Sequence, residues 1–347
     1  MNALETLLAA QPLTLGAAME LIIRQAEWQD EIIAHATALR QRHYGNKVYI
    51  RGLIEISSYC RKDCRYCGLR RSNDRASRYR LSRSDIYQQA KQGYELGIRT
   101  FVLQGGEDSY FSDERLEDII STLKATYPEA AITLSLGERS AVSLKRLRLA
   151  GADRYLLRHE TADESHYETL HPKPMTLRTR LDCLQTLKAL GYQTGAGMMV
   201  GSPGQSVTTL AKDLLLLQSL SPEMVGIGPY IHAEDTPFGD APDGDVDLTL
   251  YLLSLVRILL PRALIPATTA LSTLDETARI RSLLSSANVL MPNLTPPMHR
   301  ADYAIYADKK ATNLESIEGL ADLKDQLARH GLQLDMSRGD FKGSSNV

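Results

Sequence analysis

Three of the chain's four cysteines, Cys60, Cys64 and Cys67, lie within eight residues. Thiolates this close on one loop can converge on a single soft metal centre, and three of them leave one coordination position to something else. A closed zinc site asks for four Cys or His ligands. Cys183 lies more than a hundred residues away in a helix-like stretch, and no histidine stands between His43 and Cys60, so structural zinc would need a remote ligand. Four cysteines in 347 residues, with no secretory leader pattern, do not make a disulfide scaffold. An iron–sulfur cluster fits better, since thiolates are its usual ligands. On a four-iron cubane, three cysteines leave one iron free for a small molecule.

The rest of the sequence describes a large α/β enzyme. With 43% apolar and 24% charged residues the chain can bury a sizeable core. A net charge of −2 gives no general bias toward nucleic acid or anionic membranes. No apolar run reaches membrane-spanning length, and the cytoplasm is the expected compartment. Residues 1–45 read as a helical extension, with apolar positions at helical spacing (Ala17, Met19, Leu21, Ile22; Ile32, Ile33, Ala36, Leu39). Strand-like segments follow at 48–57, 100–104, 131–136, 154–160, 194–200, 224–230, 264–268 and 288–292. Helical stretches at 84–96, 113–126, 141–150, 177–190, 207–217, 247–260 and 274–285 fill the gaps. Eight strands with intervening helices predict a parallel sheet that can close into a (β/α)8 barrel over 46–310, with an open doubly wound sheet as the alternative. Residues 311–347 read as a helix and tail of the same domain, loose at 339–347.

In such a barrel, catalytic groups gather where strands end. The cysteine loop follows the first strand, and Gln104-Gly105-Gly106-Glu107-Asp108 the second. Ser135 and Glu138 flank the third, Arg158-His159-Glu160-Thr161 closes the fourth, and Gly201-Ser202-Pro203-Gly204 follows the fifth. Thr268-Thr269 and Pro292-Asn293 end the last two. Arg61, Lys62, Arg65, Arg70, Arg71, Arg75, Arg78, Arg80 and Arg83 form a basic stretch, which is either a solvated loop or a positive field for an anionic cofactor, electron donor or substrate. Cys183 reads as a small buried residue, and His171 and His232 as loop or core histidines.

The Cys-x3-Cys-x2-Cys spacing, with Tyr66 before the third cysteine, resembles the signature of radical S-adenosylmethionine (SAM) enzymes. The resemblance implies a 4Fe–4S cluster on Cys60, Cys64 and Cys67. Its open iron would chelate SAM, and reduction would release a 5′-deoxyadenosyl radical. It assigns the Gly105-Gly106-Glu107 turn to the methionine amino group, Glu160 and Ser135 to the ribose, Arg180 to the SAM carboxylate and Tyr66 to the adenine. Each residue also has a plainer reading. The glycines can be an ordinary turn, and Glu160 an ion-pair partner of Arg154 or Arg158. Arg180 can be a solvated helix position, Ser135 a small barrel residue, and Tyr66 a cover over the cluster.

The match extends to Cys-Arg-Lys-Asp-Cys-Arg-Tyr-Cys-Gly-Leu-Arg-Arg, Val-Leu-Gln-Gly-Gly-Glu-Asp, Gly-Ala-Asp-Arg-Tyr-Leu-Leu-Arg-His-Glu-Thr, Gly-Ala-Gly-Met-Met-Val-Gly-Ser-Pro-Gly-Gln and Ile-Pro-Ala-Thr-Thr-Ala. These resemble the HydE family of FeFe-hydrogenase maturases over roughly residues 10–310. That resemblance implies a complete barrel whose lower cavity is lined by Thr133, Arg154, Thr268, Thr269, Met291 and Tyr303. It also implies a small-molecule or iron-complex substrate, a reductant protein and other maturases as partners. Some HydE proteins carry further cysteines near the C-terminus for an auxiliary cluster. Residues 300–347 contain none, so no such cluster is expected, and biotin synthase, which needs more cysteines, is disfavoured. The alternatives are a methylornithine synthase-like amino-acid mutase and a non-enzymatic metal-binding assembly module.

Overall fold

The computed structural model describes residues 4, 5, 7, 12–309 and 316–343. Two helices, α1 (Leu15–Ile23) and α2 (Gln25–Tyr44), lead into β1 (Lys47–Ile50) and β2 (Gly52–Ser57). Then come α3 (Arg83–Glu95), β3 (Thr100–Gly105), α4 (Asp113–Thr126), β4 (Ala131–Ser135), α5 (Ala141–Ala150), β5 (Arg154–Leu156), α6 (Glu164–Leu170) and α7 (Leu177–Ala189). They are followed by β6 (Gln193–Ala196), β7 (Met199–Val200), α8 (Val207–Leu220), β8 (Met224–Val225), β9 (Gly228–Pro229) and α9 (Val246–Leu259). The chain continues through α10 (Thr269–Leu274), α11 (Ala278–Ser285), β10 (Val289–Leu290), α12 (Pro297–Arg300), α13 (Leu320–Arg329) and β11 (Gln333–Asp335). Polar caps mark the helix starts: Ser82, Ser112, Ser140, Thr176, Ser206 and Asp245 each accept a first-turn backbone N–H.

Strands β2, β3, β4, β5, β6 and β8 form one parallel sheet in that order. Side chains alternate across a strand. Ile54 and Ile56, Phe101 and Leu103, and Ile132 and Leu134 enter the apolar core beneath the helices. Their neighbours Glu55, Gln104, Ser135, Thr133 and Arg154 take the other face, in register with one another. The apolar face drives the layers together, and the second face collects the polar groups.

The eight expected strands are not all regular. Segment 264–268 forms no strand; only Leu264 and Pro266 make parallel bridges, to Met224 and Val289. Pro266 has no N–H to give a ladder. Segment 154–160 stops pairing regularly after Leu156, because the His159 and Glu160 N–H groups both turn onto Gly197 O. Segments 194–200 and 224–230 each break in two around Gly197 and Gly226. A Cβ on Gly197 would stand 1.9 Å from Gly226 O, so the two backbones can approach only without one. Between β1 and β2 the chain changes partner, from β10 and β11 to β3. A single bridge, Leu53 to Asn293, links β2 to the last segment.

The helical N-terminus packs against this framework, α2 on α9 and α1 on α8. Buried Arg40 ties it down by donating to the carbonyls of Ala287, Gly45 and Lys47. The stretch expected to be loose behaves differently. Residues 344–347 lie outside the described residues, but 339–341 dock on the sheet. Asp340 Oδ1 accepts from Arg154 Nη2 at 2.7 Å and from Gln193 Nε2 at 3.1 Å, and Phe341 N donates to Gln193 Oε1. The single letters of a glycine-rich tail did not reveal that it carries the carboxylate answering a buried arginine.

Burial works against the Asp340 carboxylate, but Arg154 and Arg338 outweigh it and hold its pKa below the ordinary value. Its stabilising effect is therefore present above the unfolded value, near pH 4, and is lost as pH falls through the folded value. Asp340→Asn should cost about 1–2 kcal/mol at neutral pH, discounted for the carboxylate's partial exposure. In urea unfolding the gap from the unaltered protein should shrink steadily as pH falls below about 4.

Candidate active site

The cysteine loop, 58–79, has no regular structure and is held by side chains. Arg78 donates to the carbonyls of Ser58, Leu69, Arg70 and Asn73. Asp63 takes Arg70 Nε, Ser72 N and Ser72 Oγ. Arg61 N donates to Glu107 O, joining the loop to the turn after β3. A Cβ on Gly106 would fall 2.3 Å from Tyr59 O and 2.7 Å from Cys60 Cβ. The glycine turn and the first cysteine therefore pass in backbone contact, which explains the glycine locally.

All three loop cysteines are free thiols, partly exposed. Burial raises the Cys60 thiol. Burial also raises Cys64, and Cys67 and Cys60 push it further in the same direction. Cys67 is pushed up to about 12 by burial and by Cys60. Cys64 and Cys67 thus each lie within electrostatic reach of Cys60. Among the described residues, no three Cys, His, Asp or Glu side chains close around a point fit for a single metal ion. A cubane does not demand that, because each thiolate meets its own iron. The donor set fits a cluster of that kind: soft, confined to one loop, with Arg180 and Arg78 as nearby positive charge.

Around the loop runs a chain of charges. Glu138 Oε1 receives Arg180 Nε at 2.6 Å and its Oε2 receives Lys62 Nζ at 3.1 Å. Glu107 Oε1 accepts the Glu138 N–H, and its Oε2 lies 3.2 Å from Arg61 Nη2. Arg180, on α7, is buried and also donates to Arg158 O at 2.6 Å. The solvated-helix reading of Arg180 is thereby set aside. Tyr66 is half-buried beside Cys64, Glu160 and Arg180. Its hydroxyl meets His171 Nε2 at 3.2 Å, and the His171 ring stacks on Tyr167 with centroids 3.9 Å apart. His171 is pushed down to about 3 by burial and by Arg180, so it is neutral. Its Nδ1 faces Tyr167 O, a carbonyl that must receive a proton, so Nε2 accepts from Tyr66.

Glu160 is a non-glycine residue at φ 68, a left-handed conformation costing about 1–2 kcal/mol. Its carboxylate is buried, with Oε2 2.8 Å from Arg158 Nη2 but making no aligned hydrogen bond. Ser135 lies opposite Gln104 in the sheet. Among the residues expected lower down, Arg154 is fully buried and bonded to Asp340, Thr100 Oγ1 and Arg338 O. Thr133 Oγ1 and Thr268 Oγ1 are buried without hydrogen-bond partners. Thr269 opens α10, Met291 packs near Met224 and Val289, and Tyr303 is buried with Lys309 Nζ 4.7 Å from its ring centre. Sequence reasoning singled out neither Lys62 as a partner of Glu138 nor His171 as a partner of Tyr66. The strand-end position of Glu138 was a usable signal; nothing local links residues 66 and 171.

Residues 54–217 match the Radical SAM superfamily model. The HydE subunit of the [FeFe] hydrogenase maturase of Thermotoga maritima is 44% identical over 289 residues, 83% of this chain and 82% of that protein. The chain belongs to the HydE family of radical SAM proteins. A 3-methylornithine synthase of Methanosarcina acetivorans is 27% identical over 78% of this chain and 76% of that protein. Among solved structures, methylornithine synthase (PylB) superposes with TM-score 0.80 at 22% identity, covering 96% of this chain and 97% of that one. The maturase HydG from Carboxydothermus hydrogenoformans gives 0.78 at 20% identity, covering 96% of this chain and 78% of that one. At those identities the likeness speaks for the fold. Membership of the family implies a 4Fe–4S cluster and SAM.

His171→Phe should take from the half-buried Tyr66 hydroxyl its imidazole acceptor, a loss of about 1–2 kcal/mol. Adding Tyr66→Phe should recover about 1 kcal/mol of it, read as the coupling in a double-mutant cycle of urea unfolding.

Proposed function

We propose that this chain is a HydE-type maturase, a radical SAM enzyme acting on a substrate inside its sheet wall during assembly of the diiron subcluster of FeFe-hydrogenase. The observation that carries this is 44% identity to a HydE subunit over 83% of the chain. With a 4Fe–4S cluster on Cys60, Cys64 and Cys67 and SAM on the fourth iron, the chemistry supplied is one-electron cleavage of the sulfonium to a 5′-deoxyadenosyl radical.

Everything else falls to the chain. The Gly105–Gly106 backbone takes the methionine amino group, beside Glu107. Arg180 meets the SAM carboxylate with Nη2, since Nε and Nη1 are held by Glu138 and Arg158. Glu160 accepts from the ribose hydroxyls, which suits a buried carboxylate oxygen without an aligned bond, and Ser135 is a second ribose partner. Tyr66, oriented by His171, flanks the adenine. Thr133, Arg154, Thr268, Thr269, Met291 and Tyr303 line the substrate cavity. Buried hydroxyls without partners at Thr133 and Thr268 support this, since such atoms favour a ligand. In this reading the bridges at Leu264, Pro266 and Asn293 complete a (β/α)8 wall that keeps water from the reacting atoms. Residues 1–45 and 311–347 belong to the same domain, with no auxiliary cluster.

The substrate is a small molecule or iron complex delivered in the cytoplasm, with other maturases as partners. The electron comes from an acidic carrier protein. Arg65 and Arg71 are exposed on the cysteine loop with no acidic partner among the described residues, the Arg65 guanidinium donating to Thr169 O. Reduction by such a carrier should slow several-fold between low and physiological salt, and less so in Arg65→Gln/Arg71→Gln, while reduction by dithionite stays unchanged.

The test is anaerobic reconstitution. Replacing any one of Cys60, Cys64 or Cys67 by Ala should abolish the reduced-cluster EPR signal and deoxyadenosine formation. Glu160→Gln should keep four irons and weaken SAM binding about tenfold. Deoxyadenosine should form with an iron–cysteine precursor; formation with lysine instead would establish the mutase reading favoured by the likeness to methylornithine synthase.

A further inference from the structure

Glu160 holds its left-handed backbone between two tethers. Its own N–H and that of His159 share Gly197 O, at 3.0 and 2.9 Å. The His159 ring is fully buried. Its Nδ1 accepts from the Gly197 N–H at 3.3 Å, which leaves the ring proton on Nε2. That nitrogen lies 3.3 Å from Asp213 Oδ1, within ion-pair range but without full hydrogen-bond geometry. Asp213, on α8, is equally buried, and the same oxygen accepts the Ala162 N–H at 2.5 Å. One carboxylate thus reaches both flanks of Glu160, through the ring of the residue before it and the backbone two residues after it. A carboxylate buried this fully, with Oδ2 unpartnered, is costly to keep. Apolar residues would fill the gap between sheet and helix better, yet could not fix a turn from both sides.

We propose that His159 and Asp213 are positioning residues: a buried imidazole–carboxylate clamp that holds the left-handed turn at Glu160 and so aims the Glu160 carboxylate at the ribose of SAM. The inference rests on the reading of Glu160 given above. Neither clamp residue touches the cofactor; their effect passes through the backbone of 159–162. Such support is what a site residue on a strained turn requires, since a shift of an ångström loses the bond it was placed to make.

The experiment measures equilibrium SAM binding to anaerobically reconstituted protein, with iron content and thermal unfolding recorded alongside. Asp213→Leu keeps the volume and removes both acceptor contacts; His159→Phe keeps the ring and removes its nitrogens. Both should retain four irons and bind SAM at least tenfold more weakly. Asp213→Asn keeps Oδ1 and should stay within twofold of the unaltered protein. In a Glu160→Ala background, Asp213→Leu should weaken SAM binding no further. Should Asp213→Leu fail to fold, His159→Phe in the same two backgrounds carries the test. Unchanged affinity in both clamp variants, with Glu160→Ala impaired, overturns the clamp alone. An equal loss from Asp213→Leu with and without Glu160 also overturns it, because the pair would then be serving the fold generally. Unchanged affinity in Glu160→Ala overturns the reading of Glu160 itself.

Discussion

Glu138 is the joint on which the site depends. It stands just past the end of β4, half of its carboxylate on Arg180 from α7 and half on Lys62 from the cysteine loop. A loop of some twenty residues without secondary structure has no ladder to fix it. The order must come from side chains, and buried or half-buried ion pairs with additional hydrogen bonds are directional enough to supply it. Through Glu138 the loop, the turn after β3 and α7 are bound to one another. The burial of Arg180 is tolerable only because of that partner, since an isolated guanidinium in this position would carry a heavy desolvation cost. The loop thereby owes its shape to the same charges that surround the proposed cofactor, and the two cannot be altered independently.

Much of this was legible in the sequence, for physical reasons. Cysteine spacing is local, and local spacing survives folding. Strand-end placement of Gly105, Glu138 and Glu160 could be read because parallel strands with crossover helices send all their C-terminal ends to one side. Legibility failed where the backbone departs from regular pairing. Pro266 removes a ladder donor, the Gly197–Gly226 approach splits two strands, and the left-handed turn at Glu160 ends a third. It failed also for contacts between distant parts of the chain. Asp340 on Arg154 and His171 on Tyr66 span separations of 186 and 105 residues, and no periodicity encodes them.

The fold by itself decides little about the substrate. Methylornithine synthase and HydG share this architecture with TM-scores of 0.80 and 0.78 at identities of 22% and 20%, yet one is a synthase and the other a hydrogenase maturase. A common wall with divergent chemistry leaves the task to individual side chains rather than to the architecture. Among the buried polar atoms without hydrogen bonds are the hydroxyls of Thr133 and Thr268 and the Nε and Nη2 of Arg51. Arg154, by contrast, already has its counter-charge in Asp340. The two arginines share an interior and differ in kind: one is fastened to the tail, and the other keeps donors open.

That difference bears on how the floor of the sheet is built. Arg154 fixes 338–341 beneath the strands through Asp340 and the Arg338 carbonyl, and Arg338 in turn reaches Asp153 at 2.7 Å. A segment expected to be loose thus closes one end of the sheet, while the cysteine loop covers the opposite end, where the strands finish. Both closures are electrostatic, made by irregular chain against the ends of regular strands. Regular pairing can raise a wall but cannot cap it, because past the strand ends the backbone groups have no ladder partner and must be answered otherwise. The caps therefore have to be built from side chains, and at one end the same cap carries the cysteines.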